Sequence, residues 1–167
     1  MALTQQLARV APHYLEQCRQ AAAVSPDGDP HWDPPHGDTL DLDWAIWELL
    51  RFYRRMRPDE QHIRLLQRAI DGDPGSSISF LDHPEVHDGF DAPPALLAPE
   101  VVTEVADGLA VMDIGPLLAD LPAYRAVGGF SAFTGDPRGY LVEHFTLLQN
   151  FYRSAGKRGM AVVTWVD

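Results

Sequence analysis

One cysteine, Cys18, is all the thiol chemistry in this 167-residue chain. No internal disulfide can form, and a lone free thiol suits a reducing cytosol. No apolar run approaches the eighteen or more residues that a membrane span requires, which excludes a membrane partner of that kind. The opening stretch scatters Gln5, Gln6, Arg9, Glu16, Gln17 and Arg19 without an apolar core between them, unlike a signal or transit peptide, so a cytoplasmic location is expected. No repeat of 20–50 residues is visible, which removes solenoids and propellers. Basic side chains are scarce: 13 Lys and Arg face 24 Asp and Glu, for a formal net charge of −11. A phosphate-backbone binder draws its sequence-independent affinity from Lys and Arg, so direct nucleic-acid binding is not expected. Catalytic signatures are missing too. There is no GxSxG elbow and no GxGxxG, and Gly72-Asp-Pro-Gly-Ser-Ser lacks the lysine with which a P-loop reaches phosphates.

What is present has ordinary globular proportions, with 46% hydrophobic and 22% charged residues, and the length suits a single compact domain over residues 1–167. The charge is unevenly placed. Between Arg68 and Arg125 lie 56 residues with no Lys or Arg and 11 acids, while the flanking parts together sum to zero. Two readings follow. Either Arg51, Arg54, Arg55, Arg57, Arg64 and Arg68 lie beside this window in space and neutralise it, or it forms an acidic face that steers a basic partner.

Periodicity outlines the elements. Leu3 to Val10 fits strand alternation and helical spacing equally. Pro12 opens a helix through Tyr14, Leu15, Cys18 and Ala22, and residues 25–38, with four prolines and two glycines, form an irregular surface loop. Leu40 and Leu42 make a short extended lead into a helix marked by Trp44, Trp47, Leu50 and Phe52, ending near Arg57-Pro58. A second helix follows with Ile63, Leu66 and Ile70 inward, and Ser77–Leu81 reads as a strand. Pro99 starts a further helix, and Pro116–Leu121 a short turn of one. The apolar stripe Tyr140, Leu141, His144, Phe145, Leu148, Phe151, Tyr152 marks a long helix with Gly156 as its expected C-cap. Met160–Val166 is apolar on both faces, as in a strand buried on both sides. The expected fold is α/β of the α+β type, a central mixed sheet with helices packed on it.

The stretch GYLVEHFTLLQNFYRSAGKRGMAVVTWVD at 139–167, with LDLDWAIWELLRF at 40–52, FLDHPEV, and LLAPEVVTEVADGL at 96–109, resembles the YfbM-like family of bacterial domains of unknown function. The resemblance covers nearly the whole chain through patterns of packing and capping. It implies an α/β domain of a bacterial cytosol and assigns no activity. This chain departs from the family where the helix after LDxD usually carries histidines, since those positions read Ala45, Ile46, Glu48 and Leu49.

Candidate chemistry narrows to histidines, acids and one tryptophan. Cys18 sits at an apolar helical position, which points to a buried inert thiol. His83 and His87 have the i, i+4 spacing of a zinc pair, but Pro84 pushes His83 out of the helical region. His31 and His36 form a second His/Asp loop, and two such loops meeting in space could supply four ligands. His144, inside an apolar stripe, suits a hydrogen-bonded packing role. Aromatics at helical spacing belong to the core, while Trp32, in the proline-rich loop, is either tucked back or an exposed anchor. The leading expectation is a cofactor-free, non-enzymatic interaction module, an inhibitor or immunity-type partner of a basic protein. It would bind through Asp82, Glu85, Asp88, Asp91 and Trp32. The alternative is a small metal-dependent enzyme using His31, His36, His83 and His87, and a third reading is a homo-oligomer whose interface hides Trp32.

Overall fold

The structure is a computed structural model that describes residues 3–89 and 92–167. Its frame is a four-stranded sheet built from β1 (Gln5–Val10), β2 (Thr39–Asp41), β3 (Ala95–Leu97) and β4 (Ala161–Val166), in the order β2-β1-β4-β3. Every pairing is antiparallel, with Gln5 opposite Val166, Gln6 opposite Asp41 and Ala95 opposite Thr164. The α+β class stands, and the expected mixed sheet becomes an antiparallel one. Period-two alternation reports which face a residue takes but carries no information on strand direction.

Alternation along the two inner strands separates two cores. On one side Ala8, Val10, Val163 and Trp165 pack with Leu15 and Cys18 of α1 (Pro12–Val24) and with Ile78, Leu81 and Val86. On the other side Leu7 and Val162 meet a layer of helices: α2 (Ala45–Met56), α3 (Glu60–Asp71), α4 (Pro99–Val111), α5 (Gly115–Leu118), α6 (Leu121–Ala126) and α7 (Pro137–Lys157). β4 is thus apolar on both faces because it is covered on both faces, as its composition indicates. Cys18 is buried, and that burial pushes its thiol pKa up, away from the reactive thiolate. No helix among the described residues is long and apolar enough to cross a membrane.

Prolines open α1 and α4 at a position where the missing N–H is no loss, and Asp59 and Asp136 cap α3 and α7 by accepting backbone N–H groups. Gly156 is not the C-cap of the long helix. That helix runs to Lys157, and the left-handed residue that releases the chain into β4 is Gly159, at φ 62°. Ser77–Leu81 is not a strand either. Ser77 makes one bridge to Ala95, then residues 79–81 tighten into a 3-10 turn, so the apolar run serves burial of Ile78 and Leu81 rather than a ladder.

A buried polar knot fixes the helices on the sheet. Gln5 Nε2 donates to Thr164 Oγ1 (2.7 Å), the Trp165 carbonyl (3.0 Å) and the Ile70 carbonyl (3.2 Å), and its Oε1 accepts from Trp47 Nε1 (3.1 Å). Thr164 Oγ1 also donates to the Ile70 carbonyl, and Tyr152 Oη to that of Ala69. These side chains satisfy the last carbonyls of α3, which would otherwise be buried without partners.

Candidate functional site

Strand register decides where the acids go. The C-terminal ends of β2 and β4, and the chain entering β3, all lie at one end of the sheet. Asp41 and Asp43 leave β2 there, and Asp167 follows β4. The 82–89 loop is tied to that end by the Asp88 N–H, which donates to Asp167 Oδ1 at 2.7 Å, while Trp165 Nε1 donates to Asp167 Oδ2 at 3.1 Å. The proline-rich loop closes on the α1 side of the same end. Trp32 meets Trp165 edge-on at 6.0 Å and Tyr14 at 5.7 Å, and the Asp33 N–H donates to Tyr14 Oη. The Asp27 carboxyl, in the same proline-rich loop, faces its own turn. It is held below the usual carboxylate range, first by the Ser25 hydroxyl and then by the Asp29 N–H.

Asp82, Glu85 and Asp88 are exposed here, and none of them pairs with an Arg or Lys among the described residues. Asp91 lies outside the described residues. The arginine cluster neutralises a different part of the base-free window. Arg68 holds Asp73 (2.7 and 3.0 Å) and Glu104 (2.8 Å), and Arg57 holds Asp120 (2.5 Å). The arginines thus neutralise Asp73, Glu104 and Asp120, while Asp82, Glu85 and Asp88 stay outside that neutralisation. Trp32 is tucked back: half-buried against Trp165 and Tyr14, it braces the loop instead of standing free as an anchor.

His83 and His87 serve turn geometry. His87 is buried, its Nδ1 accepts the Gly89 N–H at 3.1 Å, and its Nε2 lies 3.0 Å from Asp82 Oδ1. Because Nδ1 accepts, the ring proton of the neutral imidazole sits on Nε2 and points at the carboxylate. His83 Nδ1 accepts the Glu85 N–H, His31 is exposed, and His36 opens a 3-10 turn at 36–38. Among the described residues, no three His, Cys, Asp or Glu side chains are grouped so as to hold a metal ion.

A second feature, unassigned by sequence reasoning, lies at the head of α2. Asp43 adopts a left-handed backbone (φ 51°), its carbonyl accepts the Gln5 N–H (2.9 Å), and its carboxylate accepts from Tyr140 Oη (3.0 Å). This turn delivers Trp44 into contact with Phe130 (5.9 Å), Phe133 (5.7 Å) and Tyr140 (4.9 Å). One turn on, Glu48 is only 5% exposed. Its Oε1 accepts from Tyr124 Oη at 2.5 Å and its Oε2 from Arg51 Nη1 at 2.7 Å. Burial and the Glu48 carboxylate raise the Tyr124 pKa well above the ordinary phenol value, so it stays a donor. Trp44, Trp47, Glu48, Arg51, Phe130 and Phe133 line a cavity of about 530 Å³. His144 donates from Nδ1 to the Tyr140 carbonyl (2.8 Å), the hydrogen-bonded packing role its position indicates. The signal for this site was a glutamate at inward spacing, between Trp44 and Phe52, in an otherwise apolar stripe.

No family model, curated protein or solved structure matches the chain.

Proposed function

We propose that this chain is a YfbM-like domain that works as a non-catalytic binding protein, presenting the acidic end of its sheet to a basic protein partner. The observation that carries this reading is the convergence of the loop bearing Asp82 and Asp88 with Asp167, remote in sequence, on one strand-end surface where, among the described residues, no arginine or lysine pairs with them. The arrangement of bases sharpens the contrast. Arg9, Arg158 and Lys157 gather at the opposite end of the sheet, where Arg9 and Arg158 share Asp38. A charge asymmetry of this kind orients an approaching cation before contact and raises its association rate. The side-chain chemistry of the acidic end supports binding over catalysis: both ring nitrogens of His87 are engaged, and Cys18 is buried on α1.

The test is binding of an Arg/Lys-rich peptide, followed by calorimetry at low salt and at about 0.5 M salt, where screening is short-ranged. Asp82→Lys with Asp88→Lys is compared with Asp107→Lys with Glu143→Lys, which changes net charge equally on exposed faces of α4 and α7. The first pair is expected to weaken binding at least about tenfold, since opposed charges on an interface become like charges, and the second pair to change it little. Equal losses from both pairs, or salt-insensitive binding that survives the first, would overturn the reading.

A further inference from the structure

The cavity at the head of α2 has the opposite character to the acidic end. Its walls are ring faces and edges, from Trp44, Trp47, Phe130 and Phe133. Its charged residues are Glu48 and Arg51, and they are not equivalent. Glu48 is buried with both carboxylate oxygens engaged, one by Tyr124 and one by Arg51, so it has no accessible oxygen for a cation. Arg51 spends one N–H on Glu48 while its side chain is 70% exposed, leaving the other donors of its planar fork directed to solvent at the mouth. Arg55, one turn further along α2, has no ion-pair partner among the described residues, and with Arg51 it acts electrostatically on the Tyr124 phenol. The unspent polarity on this side is therefore cationic and hydrogen-donating.

The backbone gives an independent indication. Only three non-glycine residues among those described have left-handed φ, and two of them frame this cavity: Asp43, which sets Trp44, and Phe130 (φ 57°), which forms a wall. For a bulky residue such as phenylalanine this conformation is costly and persists where the surroundings over-determine it, a situation that concentrates at ligand sites. Gly129 shows how the wall is held. A Cβ there would fall 2.2 Å from the Tyr124 ring, so the loop backbone lies directly on the same tyrosine that donates to Glu48. One chain of contacts, Gly129 to Tyr124 to Glu48 to Arg51, links the wall to the guanidinium at the mouth.

From these features we infer that the cavity binds a small planar aromatic carboxylate, its ring laid against the aromatic lining of Trp44, Trp47, Phe130 and Phe133 and its carboxylate on the Arg51 guanidinium. The size is suitable, since small-molecule sites occupy about 300–1,000 Å³. Charge complementarity selects the anion over a cation: an ammonium would meet Arg51 in the lining and find the Glu48 oxygens already occupied.

The probes are 2-naphthoate and 2-naphthylmethylammonium, one ring system with opposite charge, titrated into the intact chain by calorimetry. One naphthoate per chain is expected, binding at least about tenfold more tightly than the ammonium, the discrimination that a charge-assisted bond supplies. Arg51→Gln should lose most of that preference. Ala132→Trp, at an exposed position on the cavity lining, should abolish binding by filling the mouth. Circular dichroism and urea midpoints of both variants show that they are folded, and Ala132→Trp carries the test alone should Arg51→Gln disturb Glu48. The inference is overturned if the ammonium binds as well as the naphthoate, if neither binds, or if both variants bind like the parent. It is equally overturned if light scattering shows a concentration-dependent dimer that Ala132→Trp dissolves, because the cavity would then belong to a second copy of the chain.

Discussion

Replacing Tyr124 with phenylalanine removes one oxygen atom from the middle of the helical layer and measures what the buried carboxylate depends on. The ring itself stays useful. It is stacked on Phe52 with centroids 4.2 Å apart and planes at 17°, and phenylalanine preserves that contact. What disappears is the hydroxyl that donates to Glu48 Oε1, leaving that oxygen beneath a surface where Glu48 is 5% exposed. A hydrogen bond to a charged group contributes about 1.5–3 kcal/mol, and the orphaned acceptor keeps its desolvation penalty, so Tyr124→Phe should cost about 2–3 kcal/mol. In a domain of this length each kcal/mol lowers the melting temperature by about 2–4 °C, which puts the expected drop at roughly 4–12 °C. Urea unfolding followed by tryptophan fluorescence should show a lower midpoint with an unchanged slope, because the surface exposed on unfolding is nearly the same. Glu48→Gln should be milder. Its amide oxygen still accepts from Tyr124, and the lost pair to the exposed Arg51 is worth about 0–1 kcal/mol. A Tyr124→Phe cost below about 0.5 kcal/mol, or a larger cost for Glu48→Gln, would refute the claim that the Tyr124 donor is what makes the buried glutamate tolerable.

Gly129→Ala places a Cβ 2.2 Å from a fully buried ring that has nowhere to move, so a loss of about 1–3 kcal/mol is expected by urea unfolding, and a neutral outcome would show that the loop can lift. Asp38, bonded to Arg158 and Arg9, has its carboxyl held below the usual range first by Arg158. Its contribution is therefore present above the ordinary carboxylate pKa and lost as pH falls through the depressed folded value. The stability gap between the parent and Asp38→Asn should close in acid, and a gap constant with pH would contradict this. Burial raises all five tyrosines, Tyr14 and Tyr53 to about 12 and Tyr124, Tyr140 and Tyr152 as well. Stability should accordingly be intact below the ordinary phenol pKa of about 10 and fall as pH rises through the folded values. Tyrosinate absorbance appearing well below pH 11 (about one unit above the ordinary value) while circular dichroism stays native would contradict that order.

Local chemistry was the part legible in the sequence. Pro12 and Pro99 announce helix starts, the stripe from Tyr140 to Tyr152 announces the long helix, and MAVVTWV announces a strand covered on both faces, all because these signals act over one or two turns of chain. What depends on remote partners was not legible. Ser77–Leu81 has strand composition, yet its neighbour Ala95 offers one bridge and no ladder. The acidic end was visible as a window without bases, but only the register of β3 with β4 brings the loop of Asp88 to Asp167, and only the three-dimensional path of α3 lets Arg68 pair with Asp73 and Glu104. Trp32 had two readings, and its edge-on contact with Trp165 packs it against the body of the domain. Glu48 was read as a departure from the resemblance at 45–49, whereas burial makes it the centre of a polar arrangement that the apolar pattern around it conceals.

The strand order also sets a schedule for the newborn chain. β4, made after the other three strands, pairs with both β1 and β3, and β2 alone gives β1 only three paired positions. At roughly 5–20 residues per second, on the order of ten seconds or more separates the synthesis of β1 from that of β4. Throughout that interval one edge of β1 stays open, with Leu7, Ala8 and Val10 awaiting cover. Molecules arrested shortly before residue 161 would carry every described helix and yet, of the sheet, only the short β1–β2 pairing, which makes them the form most prone to stick to one another.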